Sequence, residues 1–206
     1  MFSDILPTDA QNALAVLGRS GILSSAYLAG GTALALQLGH RQSVDFDFFT
    51  REDFDTGDVI NKLKIAGDFT VDQLAPHTIL GEFMGTKFSL FYQSYPLIDE
   101  TISFSNVNLA STKDISAMKL SAITGRGTKK DYVDLYFLAK EKYQFMQMFA
   151  FYDQKYGVLE ANKMHLVKSL QYFEDVEFSD MPIMLKPLDW EELKRYLRDQ
   201  AGKIWI

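Results

Sequence analysis

The hydrophobic pattern of this chain changes period once, near Ser111, and no other feature restricts its fold as strongly. Upstream, apolar runs of strand length are interleaved with helical stretches and punctuated by glycine. Downstream, apolar residues recur at helical spacing to the end. The pattern predicts an α+β (mixed α/β) protein. A sheet with flanking helices spans 1–110, and a helical region spans 111–206. The 206 residues suffice for one large domain or two small ones sharing a core.

In the first part a helix opens at Pro7-Thr8, where Thr8 and Gln11 have capping-box spacing, and Gly18 to Gly21 closes it. Residues 26–29 read as a short buried strand, 32–38 as helix, 44–49 as strand and 58–66 as helix. A further strand is expected near 69–74. Two strand-like runs, 79–84 and 87–92, flank Gly85-Thr86 and predict a hairpin. Alternation over 101–109 predicts one last strand. In the second part helices are expected over 114–124, 128–142, 145–156, 160–173 and 189–201. The last begins with a second capping-box spacing, Asp189 to Glu192.

Bulk composition removes several classes of function. There are no cysteines, which excludes a disulfide framework and a thiolate metal site and suits a reducing compartment. The N-terminus has no basic and apolar leader pattern, and the longest weakly polar stretch, 26–39, is too short to cross a bilayer. A cytoplasmic protein with no membrane partner is expected. The net charge of −6 argues against a general nucleic-acid coat. Charge is nonetheless uneven: Lys113, Lys119, Arg126, Lys129 and Lys130 surround the single acid Asp114. Such a segment suits an anionic ligand, and equally a solvated helix face. His40, His77 and His165 lack metal-ligand spacing, and no Walker-type loop or Gly-x-Ser-x-Gly element occurs. The aromatic run from Tyr132 to Tyr152 reads as core.

Chemistry concentrates in residues 30–49, GGTALALQLGHRQSVDFDFF. A Gly-Gly step between strand and helix lets a phosphate approach backbone N–H groups at a helix start. Asp45 and Asp47 alternate with Phe46 and Phe48. In a strand both carboxylates therefore leave one face, roughly 6–7 Å apart along the backbone. Two acids so placed repel unless a cation offsets them, and together they can hold one hard divalent ion. An edge strand could also carry them harmlessly in solvent. A phosphate site beside a metal site suggests phosphoryl chemistry on a nucleotide.

A second block, DISAMKLSAITGRGTKKDYVDLYFL, covers 114–138. Lys119 and Arg126 lie two turns apart on one helix face with the small Ala122 between them. Gly125 and Gly127 flank Arg126 and can break the helix there. Thr128 can cap the next helix, on which Asp131 and Asp134 share a face. Ordinary surface pairs such as Lys130–Asp134 are the bland alternative. A buried pairing of Asp134 with Arg126 or Lys119 competes with a catalytic role.

These two blocks resemble the AbiEii/AbiGii nucleotidyltransferase-like toxin family, within the DNA polymerase β-like nucleotidyltransferase superfamily. Gly30-Gly31 and Asp45-Phe46-Asp47 match the superfamily pattern. Lys119-x-x-Ala122-x-x-x-Arg126 and Asp131-x-x-Asp134 match the narrower one. The resemblance implies a nucleotidyltransferase-like core over 1–110, with 111–206 completing the active-site cleft. It implies that Gly30, Gly31 and Thr32 hold the nucleotide phosphates, with Arg41 and Ser43 as further contacts. Asp45 and Asp47 would coordinate Mg²⁺ (or Mn²⁺), Lys119 would contact phosphate, and Arg126 would support it or hold an acid. Asp131 or Asp134 would act as base, as a partner behind the reacting groups, or as a helix anchor. The implied reaction moves a nucleotidyl group from an NTP to an acceptor, with tRNA or another RNA as candidate. The implied setting is a toxin–antitoxin or phage-defence pair, with a cognate antitoxin encoded nearby. A silent nucleotide-binding protein and a small-molecule (antibiotic) nucleotidyltransferase are the alternatives.

One departure bears on metal binding. Many superfamily members carry a third acid on a later central strand, whereas 86–92 here reads TKFSLFY. One well-held metal with a poor second, replacement by Asp131, and lost transfer activity all remain open on the sequence.

Overall fold

The computed structural model describes residues 1–157 and 160–205; the side chains of Arg126, Glu160, Ala161 and Trp205 lie outside the description. The chain divides into two compact units, Met1–Ser111 and Thr112–Ile206.

The first unit is built on a seven-stranded mixed sheet. Its strands are β1 (Ala26–Leu28), β2 (Phe46–Thr50), β3 (Phe69–Ala75), β4 (Thr78–Phe83), β5 (Thr86–Tyr92), β6 (Ile102–Phe104) and β7 (Val107–Leu109). Their order is β3-β4-β5-β2-β1-β7-β6, with β2/β5 and β1/β7 parallel and the other pairs antiparallel. Three helices accompany it: α1 (Thr8–Ser20), α2 (Gly30–Leu38) and α3 (Thr56–Ala66). Alternation along β2 sorts its side chains. Phe46 and Phe48 are wholly buried, and the rings of Phe48, Phe88, Phe69 and Phe83 follow one another through the core. Asp47 and Phe49 face the other way, where Phe49 stacks on Tyr27 and meets Phe91.

Two turns differ from the expectation, and the second of them changes the strand count. Met84 and Gly85 both have positive φ, as a two-residue hairpin turn requires, so the β4–β5 turn lies one residue earlier than Gly85-Thr86 suggests. Ser105 and Asn106 repeat that geometry, and 101–109 is therefore a β6–β7 hairpin rather than one strand. A serine-asparagine turn is a weak signal beside the unbroken alternation around it. At α1 the expected capping box is absent. Thr8 is already helical, and the Gln11 amide donates to the Leu6 carbonyl instead (2.8 Å).

The second unit is helical: α4 (Thr112–Arg126), α5 (Lys129–Glu141), α6 (Phe145–Tyr156), α7 (Glu160–Ser169) and α8 (Trp190–Gly202). The α8 start is capped by Asp189, which accepts from the Glu191 and Glu192 amides, while the Glu192 carboxylate turns to the Tyr136 hydroxyl. α7 ends four residues before the expected 173. There the Tyr132 hydroxyl donates to the Ser169 carbonyl (2.9 Å), a tertiary bond that local sequence does not encode. An Asp114–Lys155 ion pair (2.8 Å), both side chains fully buried, ties α4 to α6. No described helix is long and apolar enough to cross a membrane.

Candidate nucleotide and metal site

In the first unit, β1 ends at Leu28 and the chain turns into α2 through Gly30, whose φ of +66° is left-handed. A side chain would be strained there, and a Cβ would also stand 2.9 Å from Asp47 Oδ2. Gly31 needs the same smallness for a different reason. A Cβ on it would overlap the Arg41 guanidinium and come within 3.1 Å of Ser43 Oγ. The glycine step is thus a surface onto which an acid, a cation and a hydroxyl are packed.

Thr32, buried in the first turn of α2, donates to the Asp45 carbonyl (2.6 Å) and lies 2.9 Å from Ser43 Oγ. The Ala29 amide donates to the Asp47 carbonyl (2.9 Å). Arg41 is only 2% exposed, and its Nη1 donates to the Gln42 carbonyl (2.9 Å). These bonds hold the 41–47 segment against the helix start. Asp45 stands one residue before β2 and Asp47 lies within it. Both are partly exposed on either side of the fully buried Phe46. Gly30, Gly31, Thr32, Arg41, Ser43, Asp45 and Asp47 therefore form one connected neighbourhood, although 17 positions of sequence separate its ends.

The second unit holds another cluster. Lys119 on α4 is almost buried and lies 2.8 Å from Asp131 Oδ1 and 2.7 Å from Asp134 Oδ2. The i, i+3 spacing on α5 puts both acids on the face that receives the lysine. Asp131 Oδ2 accepts from the Thr128 amide and hydroxyl, each at 3.0 Å, so this acid also fixes the start of α5. Asp134 has no solvent exposure. Of the two partners its sequence context allowed, Lys119 is present. Arg126 closes α4, but its side chain lies outside the described residues. Ala122, whose small size leaves space for a ligand or for close helix packing, is exposed.

A family model for AbiEii, the nucleotidyl transferase toxin of a type IV toxin–antitoxin system, matches residues 12–84 and 91–203. The chain belongs to the AbiEii toxin family. It is a nucleotidyltransferase of that class, and both clusters fall inside the matched residues. An uncharacterized protein of Aquifex aeolicus is 34% identical to this AbiEii member over 198 residues, covering 94% of each chain. Among solved structures, JHP933 from Helicobacter pylori aligns with a TM-score of 0.57 at 20% identity, over 97% of this chain and 93% of that one. A putative nucleotidyltransferase from H. pylori aligns at 0.59 with 19% identity, over 95% and 92%. MenT4, a nucleotidyltransferase toxin of Mycobacterium tuberculosis, aligns at 0.52 with 14% identity, over 95% and 85%. These three likenesses establish the nucleotidyltransferase fold.

The AbiEii chain offers a metal an oxygen-only donor set. Asp45 and Asp47 are the two acids that could hold one, and no group of three or more His, Cys, Asp or Glu side chains able to hold a metal occurs among the described residues. Two carboxylates suit Mg²⁺, which keeps waters and takes further oxygens from substrate phosphates. Sequence reasoning missed one residue here. Ser89 on β5 is the direct cross-strand partner of Asp47, and its hydroxyl donates to Asp47 Oδ1 (2.7 Å). Only the sheet register reveals it, because 42 residues separate the two.

Proposed function

We propose that this AbiEii protein holds a divalent cation, Mg²⁺ or Mn²⁺, on Asp45 and Asp47 and binds an NTP over the Gly30-Gly31 turn. It then transfers a nucleotidyl group to a hydroxyl of an RNA acceptor, with tRNA the leading candidate. The acceptor oxygen attacks the α-phosphorus, one P–O bond forms, and the bond to the pyrophosphate leaving group breaks. The bound cation would supply neutralisation of the charge that builds on the triphosphate.

The chain's own residues supply the positioning. Backbone N–H groups at the start of α2 meet phosphate oxygens, since no side chain on Gly30 or Gly31 stands in the way. Thr32 and Ser43 keep Asp45 in register with that turn. The Arg41 guanidinium packs against Gly31 and braces the turn. By the family resemblance Lys119, which pairs with Asp131 and Asp134, contacts phosphate, and Asp131 receives the acceptor proton. On the same basis Arg126 supports that contact.

The protein acts as the toxin of a pair whose antitoxin is encoded nearby, in the cytoplasm, with phage defence as the setting. The observation that carries the metal and nucleotide assignment is the packing of Asp47 Oδ2 against Gly30 and of Arg41 and Ser43 against Gly31. The test is purified protein with each labelled NTP, Mg²⁺ and total RNA. RNA should become labelled, and Asp45→Asn or Asp47→Asn should reduce labelling by about a hundredfold to a thousandfold while the fold survives. Both variants retaining full activity would show that the metal is held elsewhere. Labelling of a small-molecule acceptor in place of RNA would refute the acceptor assignment.

A further inference from the structure

Asp47 sits in a carboxylate environment whose two oxygens differ. Oδ2 faces the glycine turn, 2.9 Å from where a Gly30 Cβ would stand, and Oδ1 accepts the Ser89 hydroxyl at 2.7 Å. Ser89 is 7% exposed. Its backbone is pinned on both sides, opposite Asp47 in β2 and opposite Leu80 in β4. The hydroxyl has one alternative acceptor nearby, the Phe46 carbonyl at 3.4 Å, and the charged oxygen at 2.7 Å is the stronger partner.

An aspartate's terminal torsion is broad and twofold, so an unrestrained carboxylate would rotate and present either oxygen to a ligand. A donor fixed by two ladders removes that freedom. We propose that Ser89 is a positioning residue for the reaction: it clamps Oδ1 of Asp47 so that Oδ2 is held toward the turn for the catalytic cation. Partners behind a ligating carboxylate act this way in metal sites, orienting the ligand without touching the metal. A carboxylate at position 89 would stand directly across the strand pair from Asp47 and repel it unless a second cation or a proton intervened. A serine gives the orientation without that charge, which matches a site built for a single resident cation.

The proposal rests on the assignment of Asp47 as a metal ligand, and the experiment separates the two. Free Mn²⁺ is titrated by electron paramagnetic resonance into the full-length wild type, Ser89→Ala, Ser89→Thr and Asp47→Asn. Thermal unfolding without metal establishes that each variant is folded. Ser89→Ala should weaken Mn²⁺ binding about tenfold. Ser89→Thr keeps the hydroxyl on a residue that strands favour, and should bind within about twofold of wild type. Asp47→Asn should bind weakest. Wild-type affinity in Ser89→Ala, with binding lost in Asp47→Asn, overturns the role of Ser89 and leaves the metal site standing. Equal losses in the alanine and threonine variants overturn it too, because packing rather than the hydroxyl would then matter. Wild-type affinity in Asp47→Asn overturns both assignments. If Ser89→Ala does not fold, Ser89→Cys offers a side chain of similar size with a weak donor. Weakened binding in it supports the clamp, and unchanged binding refutes it.

Discussion

The Asp114–Lys155 pair offers the most quantitative test of how the helical unit holds its chemistry. Both side chains have no solvent exposure, and Nζ lies 2.8 Å from Oδ1. Removing one partner of a buried pair costs about 3–5 kcal/mol, because the other charge stays out of water. The two single variants should differ. Asp114 lies in the first turn of α4, where the helix start contributes roughly 0.3–1 kcal/mol to a carboxylate. Lys155→Met therefore leaves a charge with some remaining support and should cost about 3 kcal/mol. Asp114→Asn leaves a buried ammonium without its carboxylate and should cost about 4 kcal/mol. In the double variant neither charge remains, and its cost should fall short of the sum by about 2 kcal/mol. Equilibrium urea unfolding followed by far-UV circular dichroism measures all three, with the slopes compared so that only midpoint shifts count as stability. The reasoning fails if each single variant costs less than about 1 kcal/mol, or if the singles add to the double within about 0.5 kcal/mol. α4 also carries Lys119, so the outcome bears on how firmly that lysine is presented.

Gly31→Ala adds a methyl that overlaps the Arg41 guanidinium. That group is buried and bonded to the Gln42 carbonyl, and cannot swing aside freely. The variant should lose about 1–3 kcal/mol in urea unfolding and bind NTP more weakly in a filter assay; stability equal to wild type would contradict the packing. Burial, followed by the charges of Asp131 and Asp175, pushes the Tyr132 phenol up to about 12. In the unfolded chain it titrates near about 10, so between those values the folded state holds the extra proton and stability falls as pH rises. Its contribution is complete below about pH 10 and lost through about pH 12. Urea midpoints across that range should decline, and Tyr132→Phe should flatten the decline. Tyr136, raised to about 12 by burial and its bond to Glu192, adds a second component that Tyr136→Phe removes.

Much of this protein was legible in one dimension. The change of period near Ser111, the Phe46/Phe48 alternation and the spacing of helix residues on 145–156 are local properties. Neighbouring side chains decide them, and α6 begins and ends where its apolar spacing does. The residues of 30–47 could be singled out because strand, glycine turn, helix and acid strand follow one another directly in the chain. Local signals misled where a second partner intervened. Gln11 preferred a carbonyl to a cap, α7 stopped at Ser169, whose carbonyl accepts from the Tyr132 hydroxyl, and Ser105-Asn106 folded one alternating run into two strands. Sequence alone could name Asp134 as a candidate for burial, but not which cation it would meet. That Lys119 takes both Asp131 and Asp134, that Lys155 reaches Asp114, and that Ser89 lies across from Asp47 were decided by packing and strand register. Periodicity specifies which face a residue occupies, whereas a partner tens of residues away is specified only when two elements are brought side by side.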